Sequence, residues 1–424
     1  IDTLCGFGSF TLSDVPHTFP DQHQFFWPYI TNDANDRIHV ICTENEPAAG
    51  DPQVVGHTYS TDGGETWSDL AVYDEIMDIS AIITASRVDD KVAIVYTKPI
   101  DDGDEPNQYN NDAVYIESED GITWDYEDII NITNYQWEDT IRAYTDIDAV
   151  YDFNGSLHVV WNTSGYFADD GTITVDACFL WHWSEATGIS MMFDAWHPSF
   201  PGSWNRSACK MSIAVDEDNN LFTQWSHFDS VDVSAGGYSN AEIYISTSID
   251  GGENWIDPIN LSNTPCPGCS TGECFSEHWP SMAEFADDSI YIMYIEDKDP
   301  GRISGYEGAE TVNPVRYFAV PTESLLPTSV EDDNSIPDDF ELSQNYPNPF
   351  NSSTTISYTL SSPADVKLEI YNLIGQKVEA LVNDKVKAGK HSIKLDASKY
   401  ASGVYFYKLE TDGYTTSKKM HLLK

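Results

Sequence analysis

The chain has 424 residues, with 21 lysines and arginines against 70 aspartates and glutamates, for a formal net charge of −49. So acidic a surface repels phosphate backbones, which excludes nucleic acid as a partner. No apolar run approaches the roughly 20 residues that span a bilayer, and the length suits one large core plus an accessory domain.

The sequence begins at Ile1 rather than Met, which reads as a processed N-terminus from which a signal peptide has been removed. GFGSFTL at 6–12 is a lone strand. A unit of apolar strand, acidic or Gly turn and second apolar strand then recurs five times, starting at Trp27, Ile79, Tyr144, Lys210 and Trp279. Alternating apolar positions and abundant Val, Ile, Tyr and Trp predict strands throughout, with no helical period. A third strand follows each pair: VVGHTYS, AVYIES, ACFLWHWS, AEIYIS and PVRYFAV.

Four of these third strands run into a tight turn. The first turn is Ser60-Thr61-Asp62-Gly63-Gly64-Glu65-Thr66-Trp67. Ser248-Ile249-Asp250-Gly251-Gly252-Glu253-Asn254-Trp255 differs from its pattern only by Asn for Thr, and Ser118-Glu119-Asp120-Gly121-Ile122-Thr123-Trp124 is one residue shorter. Ser184 to Gly188 has lost both the Asp and the Trp. In such a turn the Asp accepts backbone N–H groups, Gly takes a positive φ and the Trp plugs the hairpin against its neighbour. The pattern S-x-D-x-G-x-T-W resembles the Asp box (BNR repeat) of sialidase-like β-propellers over roughly residues 20–320. The resemblance implies an all-β propeller of four-stranded blades, in which these turns are structural. Five repeats over 1–320 give five blades, with six as the alternative, and residues 6–12 are expected to complete the last blade.

Strand order puts the turns and the first hairpins on one face of such a ring. Its longer loops fall on the other face, where binding usually sits. That face receives Arg142, Arg206 and Arg302, three of only six arginines, which can hold a carboxylate bidentately or pair with local acids. Glu44, Asp146 and Glu277 are among its carboxylates, and His227 and His278 are its histidines. The arginine motif F-R-I-P of sialidases is missing, since Phe25-Phe26-Trp27-Pro28 stands in that region. The leading expectation is therefore recognition of an extracellular glycan or other surface polymer. A sialidase-like hydrolase or lyase acting on acidic polysaccharide, and a structural or adhesive surface protein, are the alternatives. Tryptophans near strand ends on this face can stack on sugar rings.

Acidic loops such as Asp33 to Asp36 and Asp216 to Asp218 have the oxygen-rich character that Ca2+ prefers, without EF-hand spacing. Seven cysteines in an exported chain point to disulfides, with Cys266, Cys269 and Cys274 stapling one loop and Cys178 and Cys209 as further candidates.

Residues 321–339 read as an acidic, proline-containing linker. From Phe340 onward there are 11 lysines and 8 acids, which leaves 10 basic and 62 acidic residues for the preceding 339. NYPNPFN, IYNLIGQKV, AGKH and SGVYFY follow one another here. This segment, 340–424, resembles the C-terminal sorting domain of the type IX secretion system. The resemblance implies a small β-sandwich, export to the cell surface or medium, and the secretion machinery as a partner.

Overall fold

The computed structural model divides the chain after Leu326 into two units. Residues 25–326 are described except 45–52, 77–79, 101–107, 168–171, 175–177, 204 and 302–306. Residues 340–422 are described except 343–344, 346–349, 351–352, 373–375, 398, 402 and 412–413. The strand expected at 6–12, Arg302 and the linker from 327 onward lie outside the described residues.

The first unit is a succession of antiparallel meanders. The first comprises β1 (Phe25–Asn32), β2 (Ile38–Glu44), β3 (Gln53–Ser60) and β4 (Ala71–Ile76), paired in that order. The second contains β5 (Ala81–Ala85), β6 (Val92–Pro99), β7 (Asn111–Ser118) and the short β8 (Ile130–Asn131). The third has β9 (Ile141–Tyr151), β10 (Leu157–Phe167), β12 (Phe179–Ser184) and β13 (Gly188–Asp194), with β11 (Thr172–Thr174) extending β10. A single pair, Asn111 with Ala143, links the second meander to the third. The fourth is β14 (Ala208–Val215), β15 (Leu221–Val233), β16 (Ser239–Ser248) and β17 (Ile259–Asn260). The fifth shows β18 (Ser276–Met282), β19 (Ser289–Asp297) and β20 (Val315–Pro321).

The core lies between successive sheets, because period-2 alternation turns consecutive side chains to opposite neighbours. Val159 packs with Val95 and Ala93 of the second meander, whereas the next residue, Val160, packs with Ile213 and Trp225 of the fourth. Ile41 meets Ile83 and Ile94 in the same manner, and Phe222 and Ile243 meet Ile290. Burial on both faces explains runs such as VAIVY that are apolar at every position. The first strands of successive meanders adjoin one another, and all five meanders contribute to one central cavity. The unit is a β-propeller. It extends to Leu326 rather than ending at Val320: a 3-10 turn at Thr322–Ser324 leads to Leu325, which is buried in the fifth core.

The three Ser-x-Asp turns have the hydrogen bonds their residues require. Asp62 accepts the Thr66 N–H at 2.8 Å and its hydroxyl at 2.6 Å, while Ser60 accepts the Gly64 N–H at 2.8 Å. Asp120 does the same for Thr123, and Asp250 accepts the N–H and the side-chain amide Nδ2 of Asn254. Each of the latter two turns leans on the preceding sheet. Trp124 lies 4.6 Å from the His57 ring and Trp255 lies 5.4 Å from His182, centroid to centroid. Gly252, at φ 90°, comes so close that an added Cβ would stand 1.9 Å from His182 Cε1.

The second unit has β22 (Ser353–Leu360) between β21 (Glu341–Leu342) and β25 (Gly389–Asp396). Its other sheet runs β24 (Lys377–Val386), β23 (Ala364–Asn372), β26 (Gly403–Thr411), β27 (Tyr414–Leu422). Ile356, Leu368, Ile370, Tyr407 and Leu409 fill its own core as a small β-sandwich.

Candidate functional site at the channel mouth

The central cavity measures about 420 Å³ and is lined by Tyr29, Ser80, Asp146, Asp148, Lys210, Trp279 and Glu284, among others. Its mouth is shaped by a defect repeated in the first strands. Pairing slips between Phe26 and Tyr29, between Cys209 and Ser212, and between His278 and Ser281. The residue inside each bulge takes a left-handed backbone: Trp27 at φ 45°, Lys210 at φ 56° and Trp279 at φ 54°. Bulky residues avoid this region, and such strain concentrates at ligand sites.

Two of these bulge residues, Lys210 and Trp279, line the cavity. Lys210 Nζ lies 3.0 Å from Asp146 Oδ1 and 4.8 Å from the centroid of the Trp279 ring. Burial alone would lower the Lys210 pKa, but Asp146 outweighs it and the net shift is upward, so the ammonium is retained. Asp146 is held in turn by Asn162 Nδ2 at 2.7 Å. Trp27 is 42% exposed and Trp279 52%. Trp137 and Trp196, also exposed, lie in the connections that lead to β9 and β14 at the same face.

Two further acids line the same cavity. Burial, with Glu284 adding to it, pushes Asp148 up to about 7 against the N–H groups of Ile213 and Ala149. Burial pushes Glu284 to about 7 as well, opposed by Arg87.

The structure sorts the residues expected at this face. Asp146 lines the cavity. Arg142 is a strut: its nitrogens bond Asn110 Oδ1 and the carbonyls of Gln136, Asp139 and Ile141 at 2.6–3.0 Å. Arg206 is buried against Tyr144. Glu277 is buried away from the cavity lining, pushed to about 7 by burial although Thr264 donates to it at 2.7 Å. His278 bonds Ser276 at 3.0 Å, and burial lowers its pKa. His227 sits among Phe193, His197 and Tyr244, where burial and then His197 bring it to about 4. Glu44 accepts the Val54 N–H at 3.4 Å at the edge of the first sheet. Lys210, Asp148 and Glu284 were not anticipated as site residues. The available signal was the rarity of Lys210, one of four lysines before Phe340.

The cysteine expectation needs correction. Cys269 and Cys274 are bridged, but Cys266 is a free thiol, and so are Cys178 and Cys209, both buried in the core. Cys178 donates to the Ala208 carbonyl at 3.2 Å and behaves as a small apolar residue. The loops considered for Ca2+ are tied into turns: Asp33 Oδ1 accepts the N–H of Asn35 and Arg37, and Asp216 Oδ1 those of Asp218 and Asn220. No group of three or more potential ligands assembles among the described residues.

The first unit is thus a propeller with an aromatic and charged mouth. Residues 344–422 match the secretion system C-terminal sorting domain. This tail implies export by the type IX secretion system, contact with that machinery, and delivery to the cell surface or extracellular space. No helix among the described residues is long and apolar enough to cross a membrane. No curated protein matches the sequence. Among solved structures, the chain is similar to a Dyadobacter fermentans protein of unknown function (12% identity, 91% of this chain, 99% of that one, TM-score 0.41). It is also similar to the GH93 α-L-arabinofuranosidase of Fusarium graminearum (11%, 74% and 81%, 0.42) and to a PL25 ulvan lyase (8%, 93% and 78%, 0.39).

Proposed function

We propose that the exported propeller binds an extracellular glycan across the channel mouth. The observation that carries this reading is the half-exposed indole of Trp279, held in a left-handed bulge on the cavity lining beside Lys210, with the half-exposed Trp27 in the matching bulge of β1. An indole face packs against the C–H face of a pyranose, and a ring fixed by a strained backbone loses little entropy on binding. We also read the three Ser-x-Asp turns as Asp boxes of a sialidase-like, five-bladed propeller, placed opposite the working face.

A hydrolase or lyase acting at the same mouth is the second reading. Its support is Asp148 and Glu284, carboxyls that retain protons near neutrality on the cavity wall, as a general acid must. A glycan array probed with the full chain tests the first reading. Retention of at least one polysaccharide class is expected, with about tenfold weaker binding for Trp279→Ala; no retention on any glycan would refute it. Release of new sugar ends from the retained polymer, lost in Asp148→Asn, would favour the second.

A further inference from the structure

The loop between β17 and β18 holds three cysteines, and one of them is left out of the bridge between Cys269 and Cys274. Cys42, Cys178 and Cys209 are also thiols, but they are buried in the core, where packing accounts for them. Cys266 is different. It is half-buried in a loop, and its sulfur stands 3.5 Å from Cys269 Sγ, in contact with the bridge. A thiolate attacks a disulfide at one sulfur and expels the other.

The surroundings of both outer sulfurs suit this reaction. The Phe275 N–H donates to Cys266 Sγ at 3.0 Å, which favours the thiolate. Cys274 Sγ lies 3.6 Å from the Ser270 carbonyl, an acceptor ready for the S–H once Cys274 is released. A bridge from Cys266 to Cys269 would close Cys266-Pro267-Gly268-Cys269, the Cys-x-x-Cys spacing of exchanging dithiols. The backbone already pins this leg of the loop. The Cys266 N–H donates to Asp232 Oδ1 at 3.1 Å, the Gly268 N–H to the Val233 carbonyl at 2.7 Å, and the Cys269 carbonyl accepts the Ala235 N–H at 2.8 Å. Cys266 and Cys269 are thus held side by side with no bond between them.

We propose that Cys266, Cys269 and Cys274 form a thiol–disulfide exchange centre, in which one bridge moves between two positions. The Cys266 thiol gives its proton to solvent and its thiolate attacks Cys269 Sγ. The Cys269–Cys274 bond breaks with its electron pair on Cys274, which takes up a proton. One disulfide and one thiol stand on each side, so no oxidant or reductant is consumed. Migration unties residues 270–274, which lead through Phe275 into β18 and its Trp279 bulge. The exchange does not depend on what binds at the mouth.

The test maps free thiols in the full chain, purified without reductant. One sample is quenched into acidic denaturant containing N-ethylmaleimide, which tags thiols while exchange is frozen; the bridge is then reduced and given a second, isotopically heavy tag. Mass spectrometry should find the first tag divided between Cys266 and Cys274, with Cys269 always from the bridge. A second sample is first exposed, folded and at pH 8, to dilute iodoacetamide. Capture of the half-buried Cys266 drains the equilibrium, so the share of Cys274 found as a thiol should fall toward zero. In Cys266→Ser neither Cys269 nor Cys274 should be free. Cys274→Ser should close the Cys266–Cys269 bridge with oxidised glutathione. A free thiol confined to Cys266 in the first sample, or a Cys274 share that stays constant in the second, would overturn the inference; so would two persistent thiols in Cys274→Ser.

Discussion

Two histidine pairs occupy equivalent places in the first and third sheets. His39 Nδ1 and His57 Nε2 share a hydrogen bond at 3.3 Å, with Asp33 3.2 Å from His39 on one side and the Tyr126 hydroxyl 2.9 Å from His57 on the other. His158 and His182 are 2.9 Å apart, with Asp152 at 3.6 Å. Burial drives His57 and His182 well below 6.5, and in each the partner histidine adds to the effect. The folded chain keeps both neutral, whereas the unfolded chain takes up protons near 6.5. Stability is therefore full above that value and should fall as the pH drops below it. A melting curve against pH should show this decline, and the double variant His57→Gln, His182→Gln should flatten it. Asp148 and Glu284 act with the opposite sign. Raised to about 7, they favour folding below their unfolded values near 4, and that contribution is lost as pH rises through 7. Asp148→Asn should therefore gain in melting temperature relative to wild type between pH 6 and pH 9.

The turns and bulges show how far sequence patterns reach at the scale of single elements. Trp124→Ala removes contacts with His57 and Tyr126 and should cost about 3 kcal/mol while leaving glycan binding intact. Selective loss of binding would refute the structural role of that turn. Trp279→Gly should do the converse: relief of a left-handed residue returns about 1–2 kcal/mol, offset by the lost ring, so stability holds while binding fails. The five strand pairs and the Ser-x-Asp turns were legible in advance, because alternation and turn chemistry are local. The bulges were not. Nothing in Phe26-Trp27-Pro28 or Cys209-Lys210-Met211 marks a positive φ, which occurs in three of the five first strands. Nor could the sequence tell the strut Arg142 from Arg206, because the carbonyls that occupy the former come from a loop fold. Cys178 and Cys209 misled for a similar reason: their number suggests bridging, and their burial among apolar neighbours leaves them as thiols.

For the molecule as a whole, the two units have separate cores, one set between propeller sheets and one inside the sandwich. A chain truncated after Leu326 is expected to show the same propeller melting transition as the full chain; a large downward shift would show that the cores are not independent. The charge division carries a further expectation. With 62 acids and 10 bases before Phe340, self-repulsion loads the propeller, and added salt should raise its melting temperature through screening.

An exported protein must take the acidity of its surroundings as it finds it, with no cytoplasm to buffer it. The paired histidines sit at the seams where turn tryptophans meet the preceding sheet, and the protonated acids sit at the hub. Souring of the medium would loosen the rim first, and alkali would loosen the axle first, so this wheel is trued for water close to neutrality.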